Sequence, residues 1–295
     1  MTQSDADARP ASLPGRIVAE AVKRALPEDL GDAGDITTAA VVDPQATSRA
    51  TIRARKAGVV AGLDLVSTTF EILGGVEVTR RVADGEPVAA DAALIQLRGS
   101  TRAILAGERV ALNFLGHLSG IATLTRAFVT EVAGHPAQIC CTRKTLPGLR
   151  ALEKFAVRAG GGKNHRFGLY DGILIKDNHI EAAGGVTAAL QAARRYAGHM
   201  VKIEIEIDDL NQLDEALAEG ADMVLLDNMS PETLTDAVAR VNGRALTEAS
   251  GGVNLQTVRA IAASGVDLIS VGALTHSAPW FDVGLDFDEG VSPVS

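Results

Sequence analysis

Basic residues are concentrated in one window of a chain that is otherwise acidic. The 295 residues carry a formal net charge of −9. The window from 143 to 176 holds two acidic residues, Glu153 and Asp171, and eight basic ones: Arg143, Lys144, Arg150, Lys154, Arg158, Lys163, Arg166 and Lys176. It therefore carries +6 and the rest of the chain −15. A local basic island in an acidic protein predicts a site for a small polyanionic ligand.

Two carboxylates are expected at the ends of neighbouring strands. Residues 201–207 alternate strictly between aliphatic and charged side chains, and a two-residue period places Lys202, Glu204 and Glu206 on one face. Since strands buried on both sides are usually apolar throughout, these charges need partners. We interpret Lys202 and Glu204 as an ion pair and Glu206 as functional. Asp227 lies on the inward face of the next strand and is also interpreted as functional.

The types of these groups indicate the kind of ligand. Glu206 and Asp227 suit Mg²⁺, a polyol or a developing cation. Ser250-Gly251-Gly252 and Gly272 follow the last two predicted strands, where backbone N–H groups commonly hold a phosphate in α/β barrels. Together they predict a ligand with phosphate, hydroxyl and further anionic groups.

Most of the other conspicuous residues are interpreted as structural or surface residues, and His165 is the exception. His165 follows a triple glycine and is flanked by Asn164 and Arg166, which predicts a loop that contacts the ligand. His117, His135 and His199 are interpreted as structural or surface residues. Arg150, Lys154 and Arg158 have helical spacing and predict a solvated face. The adjacent Cys140 and Cys141 are expected to pack in a strand, in a reducing cytoplasm.

The elements that must position these residues follow a regular order in the second half of the chain. Short apolar runs, which predict strands, occur at 138–142, 172–176, 200–207, 222–227, 244–249 and 266–272. Segments with helical periodicity occur at 149–159, 186–196, 210–219, 231–241 and 255–263. Six strand–helix units of this kind predict a parallel sheet, and a TIM-like α/β barrel rather than an open sheet.

The first half of the chain predicts a separate α+β sandwich. Helices are expected at 13–26 and 63–73, strands at 49–60, 76–82 and 92–97, and two helices at 101–115 and 119–132. The predicted division is a disordered tail at 1–12, a sandwich domain at 13–115 and an α/β barrel catalytic domain at 116–276. The alternating segment near Val283, Leu285 and Phe287 predicts that residues 277–295 rejoin the sandwich.

Composition argues against two other classes of protein. Nucleic-acid-binding domains are usually basic and often use aromatic stacking, whereas this chain is acidic and only 3% aromatic. No apolar run approaches the roughly 18 residues of a membrane span, and the first fifteen residues lack the apolar core of a signal peptide. We therefore expect neither nucleic acid nor membrane as a partner.

Several motifs, which occur in order along most of the chain, resemble quinolinate phosphoribosyltransferase. They are Gly-Asp-Ile-Thr-Thr (34–38), Glu-Arg-Val-Ala-Leu-Asn-Phe-Leu (108–115), Thr-Arg-Lys-Thr-Leu-Pro-Gly-Leu-Arg (142–150), Gly-Gly-Gly-Lys-Asn-His-Arg (160–166), Leu-Ile-Lys-Asp-Asn-His (174–179), Ile-Glu-Ile-Glu (203–206), Leu-Leu-Asp-Asn (225–228), Glu-Ala-Ser-Gly-Gly (248–252) and Val-Gly-Ala-Leu-Thr-His-Ser (271–277).

The resemblance implies a reaction, a fold and an assembly. Members of that family convert quinolinate and phosphoribosyl pyrophosphate to nicotinate mononucleotide, pyrophosphate and CO₂ with Mg²⁺, the de novo entry into NAD biosynthesis. Their fold is a sandwich domain plus an incomplete α/β barrel. They form homodimers in which the sandwich of one subunit faces the barrel of the other; a higher oligomer is left open.

The resemblance also assigns roles to individual residues. The quinolinate-binding residues would be Thr142, Arg143, His165, Arg166 and Lys176, with Arg109 donated by the partner subunit. The catalytic residues would be Lys144, Glu206 and Asp227, which bind the phosphoribosyl group; Glu206 and Asp227 would also hold Mg²⁺, directly or indirectly. The phosphate cradle would be Ser250, Gly251, Gly252, Val271, Gly272, Ala273 and His276. One departure is Cys141, where relatives often have an acidic residue.

The same residues leave three other functions open. A homologue with a different acceptor, such as the relatives in molybdenum systems, is disfavoured because His165, Arg166 and Arg109 suit a dicarboxylate. A Schiff-base aldolase would use Lys176 as its nucleophile, which requires an apolar pocket. A phosphosugar-binding protein without catalysis would differ from an enzyme in lacking turnover.

Overall fold

The computed structural model describes residues 12–288. The disordered tail predicted for residues 1–12 lies outside this range except for its last position. Contacts divide the described chain into two compact units. The N-terminal unit comprises residues 12–126, 147–161 and 277–288, and the barrel unit comprises residues 127–146 and 162–276.

The N-terminal unit is built on a four-stranded antiparallel sheet. Its elements are α1 (Gly15–Leu30), α2 (Ile36–Val41), β1 (Thr47–Ala54), β2 (Gly58–Val59), α3 (Leu63–Leu73), β3 (Val76–Arg80), β4 (Pro87–Val88), β5 (Ala93–Ser100), most of α4 (Thr101–Glu131), α5 (Arg150–Ala159) and β12 (Val283–Phe287). The strand order is β12-β1-β5-β3, with β2 and β4 forming a separate pair. β12 pairs with β1, so the described part of the C-terminal segment lies in this unit. Ile52, Phe70 and Leu115 are fully buried in its core.

Helix α4 is continuous where the sequence predicted two helices. The prediction ended one helix at Leu115 and began the next at Ser119, and Gly116 and Gly120 lie near this break. In the structure these glycines allow the returning C-terminal segment to pass against the helix. A Cβ atom at Gly120 would lie 2.2 Å from the Pro279 carbonyl oxygen, and the Phe281 N–H donates to the Gly116 carbonyl at 3.0 Å. The glycines therefore serve close packing rather than helix termination.

The domain boundary predicted between residues 115 and 116 falls inside α4, and α5 groups with the N-terminal unit although the sequence analysis assigned it to the barrel. The C-terminal end of α5 packs closely on α4, since a Cβ atom at Gly160 would lie 2.5 Å from the Ala122 carbonyl oxygen. The segment predicted as one strand at 49–60 is divided between β1 and β2.

The barrel unit contains six parallel strands whose order is that of an incomplete barrel. Its elements are β6 (Gln138–Cys140), β7 (Ile173–Ile175), α6 (Asp177–Ala183), α7 (Val186–Tyr196), β8 (Ile203–Ile207), α8 (Leu210–Ala218), β9 (Met223–Asp227), α9 (Pro231–Val241), β10 (Leu246–Ser250), α10 (Val258–Ala263), β11 (Leu268–Ser270) and α11 (Ala273–His276). The sheet order is β6-β11-β10-β9-β8-β7. Strands β7 to β11 are therefore neighbours in chain order, β6 adjoins β11, and the sheet is open between β6 and β7.

The predicted alternation of strands and helices is confirmed in the barrel unit. Helices α7 and α9 have the predicted bounds, and the Ser230 hydroxyl caps α9 by accepting from the Thr233 N–H. The strands are shorter than their apolar runs, and α6 was not predicted. No helix in the described part of the chain is long and apolar enough to cross a membrane.

Candidate active site

The carboxyl ends of β8, β9 and β10 bring acidic and small polar residues to one edge of the barrel sheet. Asp227 is in register with Ser250, and Glu206 and Glu248 both pair with Leu225 from opposite sides. Because side chains at the same level of a parallel sheet point to the same face, the Glu206, Asp227 and Ser250 side chains share the inner face. The structure therefore groups these predicted strand-end residues.

The charged pairs on β8 differ from the predicted ones. Lys202 is exposed and lies before the strand, whereas Glu204 is buried and contacts His165. The predicted Lys202–Glu204 ion pair is therefore wrong, because the strand begins one residue after Lys202. Glu206 instead forms an ion pair with Lys176, which follows β7. A lysine paired with a carboxylate does not meet the apolar-pocket requirement of a Schiff-base aldolase.

His165 is held by protein groups at both ring nitrogens. The Arg166 backbone N–H donates to Nδ1 at 2.8 Å. Nδ1 is therefore an acceptor, and the neutral ring carries its proton on Nε2. Nε2 lies 2.9 Å from Glu204 Oε2 and 3.7 Å from Glu248 Oε1. The ring thus connects the arginine loop to two carboxylates inside the barrel.

Glu248 is a site residue that the sequence analysis missed. Its side chain is almost completely buried, with 1% of the residue exposed. Burial, followed by the charge of Glu204, raises the pKa of Glu248 to about 7. Two signals were present in the sequence: Glu248 opens the Glu-Ala-Ser-Gly-Gly motif, and it lies two residues before Ser250 on the same face of a short strand.

Arg143 and Arg166 have buried donors without a hydrogen-bond partner. The Nε atoms of both residues are inaccessible to water and have no hydrogen-bond acceptor in the described structure. Arg166 is anchored by a hydrogen bond from Nη1 to the Gly172 carbonyl oxygen at 2.8 Å. Burial, followed by the nearby charge of Arg143, lowers the pKa of Arg166. Two arginines that are close together with unsatisfied donors suit an anion, particularly a carboxylate.

The loop after β6 is joined to the loop after β11. The Thr275 hydroxyl donates to the Lys144 carbonyl oxygen at 2.7 Å. A Cβ atom at Gly272 would lie 3.0 Å from Lys144 Cδ and 3.2 Å from His276 Nε2. Val271 and Ala273 flank this glycine. Lys144, Gly272 and His276 thus converge, as the predicted phosphate site requires.

The glycines after β10 adjoin a second residue that was missed. Gly251 has φ +95°, and a Cβ atom there would lie 2.0 Å from Asn228 Oδ1. Asn228 has a positive φ of 52°. Its backbone N–H donates to the Ser250 carbonyl oxygen at 2.9 Å. Its side-chain Nδ2 donates to Asp227 Oδ2 at 2.5 Å. Only glycine fits at position 251, and Asn228 orients the Asp227 carboxylate.

Glu206 and Asp227 have the donor chemistry that Mg²⁺ requires. Both are half-buried carboxylates on adjacent strands, and Mg²⁺ typically takes one or two carboxylates together with water and substrate phosphates. His165, Glu204 and Glu248 form a separate cluster of possible metal ligands. Because His165 Nε2 already donates to Glu204, we interpret that cluster as hydrogen-bonded.

Other predicted residues lie elsewhere or in different surroundings. Arg109 is exposed on α4 in the N-terminal unit. Lys154 is fully buried, so the prediction that it lies on a solvated face is wrong; Arg158 on the same helix is exposed. Helical spacing identifies a common face but does not show that another element covers it. Cys140 and Cys141 are buried as predicted, and the Cys141 thiol donates to Asn164 Oδ1 at 3.4 Å.

Comparison with known proteins assigns the chain to a family. Sequence profiles described as "Quinolinate phosphoribosyl transferase, N-terminal domain" and "C-terminal domain" match residues 35–119 and 121–286. The chain is 45% identical to the probable nicotinate-nucleotide pyrophosphorylase [carboxylating] of Bacillus subtilis over 260 residues, which cover 88% of this chain and 89% of that protein. It is also 45% identical to the Mycobacterium leprae nicotinate-nucleotide pyrophosphorylase [carboxylating] over 273 residues, covering 90% and 96%.

A solved structure agrees with the sequence comparison. The nicotinate-nucleotide pyrophosphorylase from Francisella tularensis superposes with a TM-score of 0.91 at 37% identity, covering 95% of this chain and 99% of that one. The predicted two-domain fold, an α+β domain with a parallel α/β barrel domain, is therefore confirmed. The chain belongs to the quinolinate phosphoribosyltransferase family.

Proposed function

We propose that this protein transfers the phosphoribosyl group of phosphoribosyl pyrophosphate to quinolinate and releases CO₂, giving nicotinate mononucleotide and pyrophosphate. The observation that carries the proposal is the pair of buried Nε donors of Arg143 and Arg166, which have no hydrogen-bond acceptor in the described structure. They adjoin inward-facing carboxylates and a glycine-rich cradle, so a doubly anionic acceptor and a phosphorylated donor fit side by side.

Quinolinate would bind among Thr142, Arg143, Arg166 and Lys176. Each arginine offers donors in a planar fork that matches a carboxylate. Lys176 is shared with Glu206 through their ion pair, so it lies between the two substrates. His165 would act by orienting Arg166, since both of its ring nitrogens already have protein partners.

The phosphoribosyl group would bind along the other strand ends. Lys144 would contact the pyrophosphate, and Glu206 and Asp227 would orient the ribose hydroxyls and stabilise positive charge at the anomeric carbon. The 5′-phosphate would rest on backbone N–H groups and the nearby imidazole of the cradle, which comprises Ser250, Gly251, Gly252, Val271, Gly272, Ala273 and His276.

Mg²⁺ would be held by Glu206 and Asp227, with water and substrate oxygens completing its shell. When bound, it would neutralise charge on the pyrophosphate leaving group. The protein's own residues would orient the substrates. Asn228 would fix the Asp227 carboxylate through its side-chain amide.

Two bond changes then complete the reaction without a protein nucleophile. The pyridine nitrogen of quinolinate forms a bond to the anomeric carbon as the bond to pyrophosphate breaks. When the adjacent carboxylate leaves as CO₂, its bonding electron pair remains on the ring carbon, where the positive charge of the neighbouring pyridinium nitrogen stabilises it. A proton then bonds to that carbon through this electron pair.

The proposed assembly is a homodimer with shared sites, and the proposed location is the cytoplasm. Arg109 is exposed on the N-terminal unit and would enter the barrel of the partner subunit. The two free, buried cysteines, Cys140 and Cys141, are consistent with a reducing compartment.

The test is to incubate the protein with quinolinate, phosphoribosyl pyrophosphate and Mg²⁺ and to measure nicotinate mononucleotide and CO₂. Equal amounts of both products are expected, and omission of either substrate should abolish them. Binding of both substrates without turnover would indicate a phosphosugar-binding protein and contradict the proposal.

A further inference from the structure

Two buried carboxylates that take no part in the proposed bond changes adjoin the arginine pair. Glu204 and Glu248 are 5% and 1% exposed. Their carboxylates meet at the His165 Nε2 atom. The Oε1 atom of each is buried and lacks a hydrogen-bond partner in the described structure. A buried ionised oxygen without a hydrogen bond is costly, so the protonation of this pair matters to the site.

The charges near His165 balance before a substrate binds. Arg143 and Arg166 contribute two positive charges, and Glu204 and Glu248 contribute two negative charges when both are ionised. A bound dicarboxylate adds two more negative charges in a region of low dielectric, where charge repulsion is strong. Protonation of one buried carboxylate would remove part of this repulsion.

Geometry selects Glu248 as the group that takes the proton. Glu204 accepts the His165 Nε2–H at 2.9 Å, and its carboxylate interacts favourably with the positive charge of Arg166. Glu248 lies farther from Nε2, at 3.7 Å, and is more deeply buried.

The groups that face Glu248 come from four elements. They are Glu204 on β8, His165 on the loop before β7, Cys140 on β6 and Ser270 on β11. Burial, followed by the charge of Glu248, raises the pKa of the Cys140 thiol, so this thiol keeps its proton at neutral pH. The charge of His165 and hydrogen bonds from the Ser270 hydroxyl and the Cys140 thiol lower the pKa of Glu248, but burial and the charge of Glu204 outweigh them, so the pKa is raised.

We propose that Glu248 takes up one proton from solvent when the dicarboxylate substrate binds, and thereby sets the affinity of the barrel for a dianion. Glu248 is then a positioning residue, because it acts on substrate through the charge around His165 and the arginines. The inference rests on the proposed function, since quinolinate is the dicarboxylate.

The pKa of Glu248, raised to about 7 by burial and by Glu204, places this uptake in the neutral range. Below pH 6 the carboxyl is already protonated, so binding takes up little proton. Above pH 8 it is ionised, and binding must first protonate it. The quinolinate KM should therefore rise about tenfold between pH 6 and pH 8, because the competent fraction falls about tenfold.

The first experiment measures kcat and KM for quinolinate from pH 6 to pH 8.5 at saturating phosphoribosyl pyrophosphate and Mg²⁺. Glu248→Gln imitates the protonated carboxyl at nearly the same volume. Its KM should stay within about threefold across this range while the wild-type KM rises. Titration of the phosphates or of other residues would persist in the variant, so a flat profile assigns the effect to Glu248.

Glu153→Gln is the matched control. Glu153 is also a fully buried carboxylate within 2.9 Å of a histidine Nε2, but it lies in the N-terminal unit. This variant should keep the wild-type rise in quinolinate KM. A flattened profile in both glutamate variants would show a general effect of lost buried charge and overturn the proposal.

A second measurement does not require the variant to fold. Calorimetric titration of wild-type protein with quinolinate at pH 7, in two buffers of different ionisation enthalpy, gives the number of protons taken up. About half a proton per site is expected for a group whose pKa is about 7. Binding of quinolinate without proton uptake would overturn the inference. One tightly bound zinc ion per chain at the cluster of His165, Glu204 and Glu248 would also overturn it.

Failure of the inference and failure of the proposed function give different results. If quinolinate neither binds nor turns over at any pH, the proposed function fails. If quinolinate turns over with a KM that is independent of pH in the wild type, only the role of Glu248 fails.

Discussion

Each unit of the molecule contains a buried histidine–glutamate pair, and the two pairs have different surroundings. In the N-terminal unit His117 Nε2 lies 2.9 Å from Glu153 Oε1, and the His117 ring packs 6.5 Å from the Trp280 ring. In the barrel unit His165 Nε2 lies at the same distance from Glu204. The contact itself therefore does not distinguish a structural pair from a functional one.

The two pairs differ in whether the buried polar atoms near them have hydrogen-bond partners. In the described chain, buried side-chain atoms without a hydrogen-bond partner occur at Arg143, Arg166, Glu204 and Glu248, all in the barrel unit. Neither Glu153 nor the buried Lys154 has such an unpaired side-chain atom. Because native structures rarely leave buried polar atoms unpaired, a concentration of them next to one pair indicates a place where a ligand completes the hydrogen bonding.

The largest expected effect is discrimination between one and two carboxylates. Nicotinate lacks the second carboxylate of quinolinate, so it would leave a buried arginine unmatched. A site built to pair a substrate group can reject an analogue without that group by roughly 10⁴-fold in kcat/KM. Steady-state kinetics with both acceptors check this; comparable turnover of nicotinate would mean that the arginine pair serves phosphates alone.

The next effect concerns the contribution of the N-terminal unit to the barrel of a partner subunit. Arg109→Ala should be nearly inactive, because an unpaired carboxylate in a buried site costs roughly 3–5 kcal/mol. Lys144→Ala should also be inactive, through a defect in the barrel. Mixing the two variants under subunit exchange should restore about a quarter of the wild-type sites, because each heterodimer has one intact site.

Subunit exchange must be demonstrated separately, for example by mass spectrometry of differently labelled subunits. If heterodimers form and activity does not return, Arg109 does not complete the partner's site, and the shared-site dimer is wrong.

Loss of a single carboxylate on the inner barrel face should have a smaller effect. Asp227→Asn should lower kcat by roughly 10²-fold, the scale for removing one group that stabilises charge in a transition state. The KM for quinolinate should change little, because Asp227 is proposed to act on the phosphoribosyl half. Near-normal turnover would refute this role.

The smallest expected effects are on the free energy of unfolding, and they differ between the two histidine–glutamate pairs. Glu153→Gln should lower the free energy of unfolding by about 1–3 kcal/mol, because the buried hydrogen bond between Glu153 and His117 is disturbed. Ionisation of Glu248, in contrast, should lower the stability of the folded protein as the pH rises. Its folded pKa of about 7 exceeds the usual 4.5, so the folded state binds the proton more tightly, and the stability this gives is lost as pH rises from about 4.5 to 7.

Glu248→Gln should remove that dependence. Between pH 5 and pH 8 the wild type should lose stability relative to the variant, by on the order of 2–3 kcal/mol at most. Urea unfolding of both proteins at the two pH values measures this difference; a constant difference would show that Glu248 does not titrate in this range.

The sequence was sufficient for much of the barrel because its signals are local. Apolar runs and helix caps located the strands and helices, and the predicted strand-end residues Glu206, Asp227 and Ser250 lie at one edge of the sheet. Tertiary packing decided the rest. Helix α4 continues through Gly116 because the C-terminal segment packs there, and Lys154 is buried although its spacing matches exposed Arg158.

The site was predicted unevenly for the same reason. Strand periodicity placed Glu204 and Glu206 on the inner face but could not show that the strand begins at Ile203, which leaves Lys202 outside it. Glu248 occurs singly in a short strand, so its neighbours in sequence gave no sign of its contact with His165. Such a contact depends on the tertiary fold of the barrel unit, which brings residues 83 positions apart within 3.7 Å.

The most direct test of the central claim is a crystal structure of the protein with quinolinate bound. We expect guanidinium N–H groups of Arg143 and Arg166 to lie within about 3.2 Å of its carboxylate oxygens, while the His117–Glu153 pair keeps its contact. Quinolinate bound away from both arginines, with their Nε atoms still lacking an acceptor, would contradict the account.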